Sequence, residues 1–138
     1  MFMVESIHHV SLPITNPERS RQFYSEVLGL AEIHRPPFDF EGVWYQVGDR
    51  QLHLIVHDES TFREKKPVDS RDIQFAIRVN SYEETRDFLR SKGFHPEATD
   101  ELKRIKESPH STAGRPQLYI MDPDRNVLEL NADRLDEA

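Results

Sequence analysis

Ile7-His8-His9-Val10-Ser11-Leu12 alternates apolar and polar side chains and runs into Asn16-Pro17-Glu18, a helix start with Asn as the cap and Pro as the first helical residue. Phe23, Tyr24, Val27 and Leu28 then recur at helical spacing, and Gly29 stands where a left-handed C-terminal cap is needed. The order returns in the second half. Ile73-Gln74-Phe75-Ala76-Ile77-Arg78-Val79 alternates, Ser81-Tyr82-Glu83-Glu84 forms a capping box, Phe88 and Leu89 follow, and Gly93 closes the helix. His9 and Gln74 lie 65 positions apart, as do Phe23 and Phe88, and Gly29 and Gly93 lie 64 apart. Matching offsets of this kind mark an internal repeat.

Each helix is followed by strands that end alike. Asp49-Arg50-Gln51-Leu52-His53-Leu54 and Asp124-Arg125-Asn126-Val127-Leu128-Glu129-Leu130 both read as a turn and then a strand. His53 and Glu129 are 76 apart, so the second copy carries extra residues, placed in the charged, Ser- and Pro-containing stretch Thr99 to Arg115. The fold expected is α+β: two βαβββ modules, about 5–57 and 72–132, in a single domain spanning 1–138. A charged linker from about Asp58 to Arg71 joins them. The modules are expected to form a curved mixed sheet, a cup, with helices on its outer face.

Strand parity picks out the candidate site. In each strand one face is apolar, and His9, His53, Gln74 and Glu129 fall on the other. Curving the sheet would bring these four together. His8, one residue from His9, is expected to point the opposite way. The chain has no cysteine, which excludes disulfides, thiolate metal sites and cysteine nucleophiles. Two imidazoles, an amide oxygen and a carboxylate suit a borderline divalent ion such as Zn, Ni, Co, Mn or Fe(II), with positions left for water or substrate.

Trp44 and Tyr119 occupy matching positions, 75 apart, and by parity line the substrate pocket or pack in the core or a dimer contact. Arg78 shares a strand face with Gln74, its Cα roughly 13 Å away at about 3.3 Å per residue. There it would anchor an anionic substrate through paired hydrogen bonds, or else pair with a surface acid.

With 138 residues, a formal net charge of −7 and 31% charged side chains, the chain reads as one soluble globular domain. The acidic balance argues against nucleic acid as a partner, since Lys and Arg carry that affinity. No apolar run approaches the length of a membrane span, and the N-terminal segment does not read as a secretory signal, so a cytoplasmic location without membrane contact is expected.

These residues also resemble a known family. Ile7-His8-His9-Val10-Ser11-Leu12-Pro13 with Phe23-Tyr24 and Leu28-Gly29-Leu30 is similar to the opening of a vicinal oxygen chelate module. Asp122-Pro123-Asp124-Arg125-Asn126-Val127-Leu128-Glu129-Leu130 resembles the Asp-Pro-Asp-Gly-Asn-x-x-Glu-Leu ending of the second module. That superfamily includes glyoxalase I, fosfomycin-resistance proteins, bleomycin-resistance proteins and extradiol dioxygenases. The resemblance implies a metal site in a cup, in a homodimer, with His9 and Glu129 as ligands. Gln74 stands where His is common, and His53 where glyoxalase I often has Glu.

Extradiol dioxygenases and fosfomycin thiol transferases use a His at the position of Gln74, and glyoxalase-type isomerases use carboxylates at both strand ends, of which only Glu129 is present. The function implied is a divalent-metal-dependent enzyme acting on a small oxygenated substrate, isomerase or lyase in type, with Glu129 as ligand and proton acceptor. The alternatives are a metal-independent drug- or metabolite-binding resistance protein and a dioxygenase.

Overall fold

The computed structural model describes residues 1–58, 63 and 65–136. Part of the expected linker, residues 59–62 and 64, therefore lies outside the described residues. The chain divides into two compact units, residues 1–61 and 62–138, each carrying one βαβββ module.

In the first unit, β1 (His9–Ile14), β2 (Ala31–Ile33), β3 (Gly42–Val47) and β4 (Arg50–Val56) form a mixed sheet in the order β1-β4-β3-β2. β1 pairs parallel to β4, the other pairings are antiparallel, and the helical crossover from β1 leads to β2 at the far edge of the sheet. The crossover begins where the sequence places it. Asn16 accepts hydrogen bonds from the backbone of Glu18 and Arg19, and α1 (Pro17–Arg21) follows. From Gln22 to Val27 the helix widens into π geometry, with Leu28 N–H donating to the Phe23 carbonyl. The widened turn directs Phe23 and Tyr24 into the core, at 5% and 0% exposure. Tyr24, Tyr45, Leu52, Leu54 and Val43 are buried on this side of the sheet, and Tyr45 is tied to Ser25 by a 2.8 Å hydroxyl pair.

The second unit repeats the plan. β5 (Gln74–Arg78), β6 (Lys106–Ser108), β7 (Gln117–Met121) and β8 (Val127–Asn131) run in the order β5-β8-β7-β6, again with the first and last strands parallel. α2 (Tyr82–Ser91) is capped by Ser81, whose hydroxyl accepts from Glu84 N–H, and it packs on β7. Every residue of β7 and β8 is buried.

Three expectations change. Phe88, offset from buried Phe23 by the repeat, is 45% exposed; Tyr82 and Leu89, seven apart, are the core face of α2. Ile7 and Ile73 are exposed at 72% and 88%, because both precede the strands to which alternation assigned them. The stretch Thr99 to Arg115 is not all loop: it holds a short 3₁₀ turn, Glu101–Lys103, and the edge strand β6. Among the described residues no helix is long and apolar enough to cross a membrane.

Candidate functional site

The polar face of the first sheet carries a clamped histidine. Register places Ser11 and Trp44 on either side of His53, while His9 is opposite Gln51. The His53 ring stacks on His9 at 4.1 Å between centroids and on Trp44 at 3.8 Å with the planes within 1°. Two rings this close to one imidazole must occupy its opposite faces. Only the edge of His53 is left for chemistry, and there Nε2 lies 2.9 Å from Gln51 Oε1. His53 is 7% exposed, and burial, reinforced by the positive potential of His9, His8 and Arg35, lowers its pKa to about 4. It is therefore neutral at pH 7, the form in which an imidazole can bind a metal.

His8 does not point away from His9. Its ring stands edge-on to that of His9 at 5.2 Å, with the two Nδ1 atoms 2.9 Å apart. His8 lies one residue before β1, which begins at His9; its carbonyl accepts from Gln51 N–H at 3.4 Å, but its side chain does not follow the alternation of the strand. The contact leaves His9 Nε2 as the nitrogen for a ligand.

The low pKa of His53 has a consequence for stability. The unfolded chain takes up a proton near pH 6.5 while the folded chain resists it until about pH 4, so stability is full above 6.5 and falls as pH drops through that window. The loss is on the order of 3–4 kcal/mol at about 1.4 kcal/mol per unit. His53→Phe keeps a ring in the stack and removes the proton site. Urea midpoints measured from pH 7.5 to 4 should fall less steeply for the variant than for the parent; parallel curves would show that His53 is not held neutral.

In the second unit Glu129 is 8% exposed and firmly held. Gln117 Nε2 donates to Oε1 at 3.1 Å and Asn131 Nδ2 to Oε2 at 2.6 Å. Tyr119 is its cross-strand neighbour, as Trp44 is of His53. Burial raises the Tyr119 phenol pKa, and the adjacent Glu129 carboxylate raises it further. Arg78 Nε donates to Asn131 Oδ1 at 2.6 Å, and Nη1 lies 3.9 Å from Asp133. Its guanidinium is about half exposed, so one edge supports the Glu129 network while the other lies at the solvent beside Asp133, the surface-acid pairing that is one of the two expectations for it.

Gln74 sits opposite Val127 in the parallel pairing, one step along the same face from Glu129. Its Nε2 donates to the carbonyls of Ser70 at 2.7 Å and Asp72 at 3.1 Å. Two carbonyl acceptors fix the amide orientation, since a flip would oppose oxygen to oxygen. Oε1 is thereby left buried without a partner.

Thus His9, His53 and Trp44 meet in the first unit, and Glu129, Tyr119 and, through Asn131, Arg78 meet in the second. Among the described residues no group of three or more His, Cys, Asp or Glu side chains is placed to hold a metal ion. The sequence reading missed His8, Gln51, Gln117 and Asn131 as partners. Gln51 and Asn131 were findable, each two residues from a candidate ligand on the same strand face.

The family description Glyoxalase/Bleomycin resistance protein/Dioxygenase superfamily matches residues 6–130. The chain belongs to that superfamily. Over 133 residues, 94% of this chain and 72% of the relative, it is 28% identical to Glyoxylase I 4 of Arabidopsis thaliana. A putative glyoxalase family protein from Bacillus anthracis shares the fold, with a TM-score of 0.76 at 20% identity, covering 97% of this chain and 99% of that one. So does a mutant of the genomically encoded fosfomycin resistance protein FosX from Listeria monocytogenes, solved with Mn(II) and 1S,2S-dihydroxypropylphosphonic acid. Its TM-score is 0.67 at 16% identity, with 98% and 97% of the two chains covered. As a superfamily member the chain has the α+β fold of paired βαβββ modules expected from its repeat.

Proposed function

We propose that this member is a divalent-metal-dependent enzyme acting on a small substrate with neighbouring oxygens, isomerase or lyase in type. Gln74 carries the reading. A buried amide oxygen without a partner costs about 1–3 kcal/mol, and here two carbonyls hold it in place. A divalent cation is a natural partner for such an oxygen. His9, His53 and Glu129 complete an N/O donor set at equivalent positions of the two modules, and the chemistry of that set fits Zn, Ni, Co, Mn or Fe(II). When bound, the ion supplies Lewis-acid polarisation of a substrate oxygen.

The chain's own residues do the rest. Glu129, oriented by Gln117 and Asn131, has lone pairs left to accept a substrate proton. The solvent-facing edge of Arg78 attracts an anionic group, and Tyr119 lines the site beside Glu129. We place the protein in the cytoplasm as a homodimer.

A metal-independent binding protein is the second reading, favoured by the absence, among the described residues, of three His or carboxylate side chains already gathered for a metal. A panel of hemithioacetal, epoxide and catechol substrates separates the readings. Turnover of one substrate that EDTA abolishes and a single added ion restores is the expected result. Tight binding without turnover, unchanged by EDTA, would establish the second reading instead.

A further inference from the structure

Neighbouring strands lie about 4.8 Å apart. Rings that stack across them, as His9, His53 and Trp44 do, therefore stand on edge above the sheet with their free edges pointing away from it. The row does not stop at Trp44. Phe38 follows at 5.9 Å, and Phe40 stacks on Phe38 at 5.3 Å. These last two rings are 47% and 43% exposed.

They are nevertheless held. The Arg35 guanidinium carbon lies 4.8 Å from the Phe38 centroid and 5.1 Å from that of Phe40, and Nη2 donates to the Phe40 carbonyl at 2.8 Å. Gly42 makes room for this brace: a Cβ there would come within 2.9 Å of Arg35 Nε and 2.5 Å of the Leu54 carbonyl oxygen. Exposed aromatics that the chain immobilises beside candidate ligands form a built surface, unlike scattered surface apolar residues.

We propose that Trp44 and Phe38, with Phe40 backing Phe38, form the subsite for a planar aromatic group of the substrate, whose neighbouring oxygens are held at the His9 and His53 end of the same row. The proposal rests on reading His9 and His53 as metal ligands. A ring laid across aromatic edges gains edge-to-face contacts in addition to its buried area, which a methyl group in the same place does not.

Benzoylformate and pyruvate carry the same adjacent oxygens and differ only in phenyl against methyl. Calorimetric titration of the Mn²⁺-loaded protein should give benzoylformate an affinity at least about tenfold higher. The double variants Phe38→Ala/Phe40→Ala and Phe38→Leu/Phe40→Leu, checked for fold by circular dichroism, should bring the two ligands to within about twofold by removing the stacking surface, leaving pyruvate unchanged. Equal affinities in the parent, no binding of either ligand at millimolar concentration, or a preference surviving both variants would overturn the subsite. So would a variant that turns a dimer into monomers while keeping the preference, since a second copy would then cover these rings. A phenyl preference that persists undiminished in EDTA upholds the subsite while removing the metal reading.

Discussion

Glu129→Ala should weaken divalent-ion binding by more than about 100-fold in equilibrium dialysis, because outer partners of metal ligands alone are worth about 10- to 100-fold. The carboxylate is the only anionic member of the proposed donor set, and it is buried where water cannot replace it cheaply. Removing it also strands two donors, Gln117 Nε2 and Asn131 Nδ2, at a cost of about 1–3 kcal/mol each in stability. Glu129→Gln separates the two effects. It keeps one oxygen for one of those donors, so stability should fall by less than in the alanine variant while ion affinity stays low. If both variants bind ions as the parent does, Glu129 is not a ligand.

His9→Ala should likewise cost more than about 100-fold in ion affinity, and His8→Ala about tenfold. Alternation alone leaves His8 irrelevant. The 2.9 Å approach of the two Nδ1 atoms makes it the residue that orients His9 and selects Nε2 for the ligand. Equal losses for the two variants, or a larger loss for His8→Ala, would show that the ligand at the start of β1 is misassigned.

Much of this was legible in the sequence because the repeat constrained it twice. Asn16 and Ser81 cap their helices as their side chains dictate, and period-two alternation set His9, Gln74, His53 and Glu129 on the polar faces of their strands. The clamp on His53 was not seen, since stacking depends on register. Yet the register was within reach: Gly48, at φ +58°, opens a two-residue turn before Arg50, and a turn of that length sets Trp44 opposite His53.

β6 was hidden for a different reason. Lys106-Glu107-Ser108 has no apolar alternation, as suits a short edge strand held by Arg90 gripping Glu107 with two 2.8 Å hydrogen bonds. The orphaned oxygen of Gln74 also has no sequence signal, because it depends on where the carbonyls of Ser70 and Asp72 fall. Arg125 departs from the family ending in composition but not in shape. It holds φ at +66°, the region a glycine would occupy, and is tied by its guanidinium to the Lys66 carbonyl and Glu101.

Whether ion binding needs donors from both modules, as proposed, can be read from Trp44. It is the chain's one tryptophan, and it lies flat on His53 at 3.8 Å, so its fluorescence responds to what happens at that imidazole. Titration with Zn²⁺ should change the emission saturably at one ion per chain. In Glu129→Ala and Gln74→Ala, both altered only in the second module, the midpoint should move by more than about 100-fold and about tenfold or more, respectively. A midpoint identical in the parent and both variants would contradict the claim, since the ion sensed by Trp44 would then be held by the first module alone.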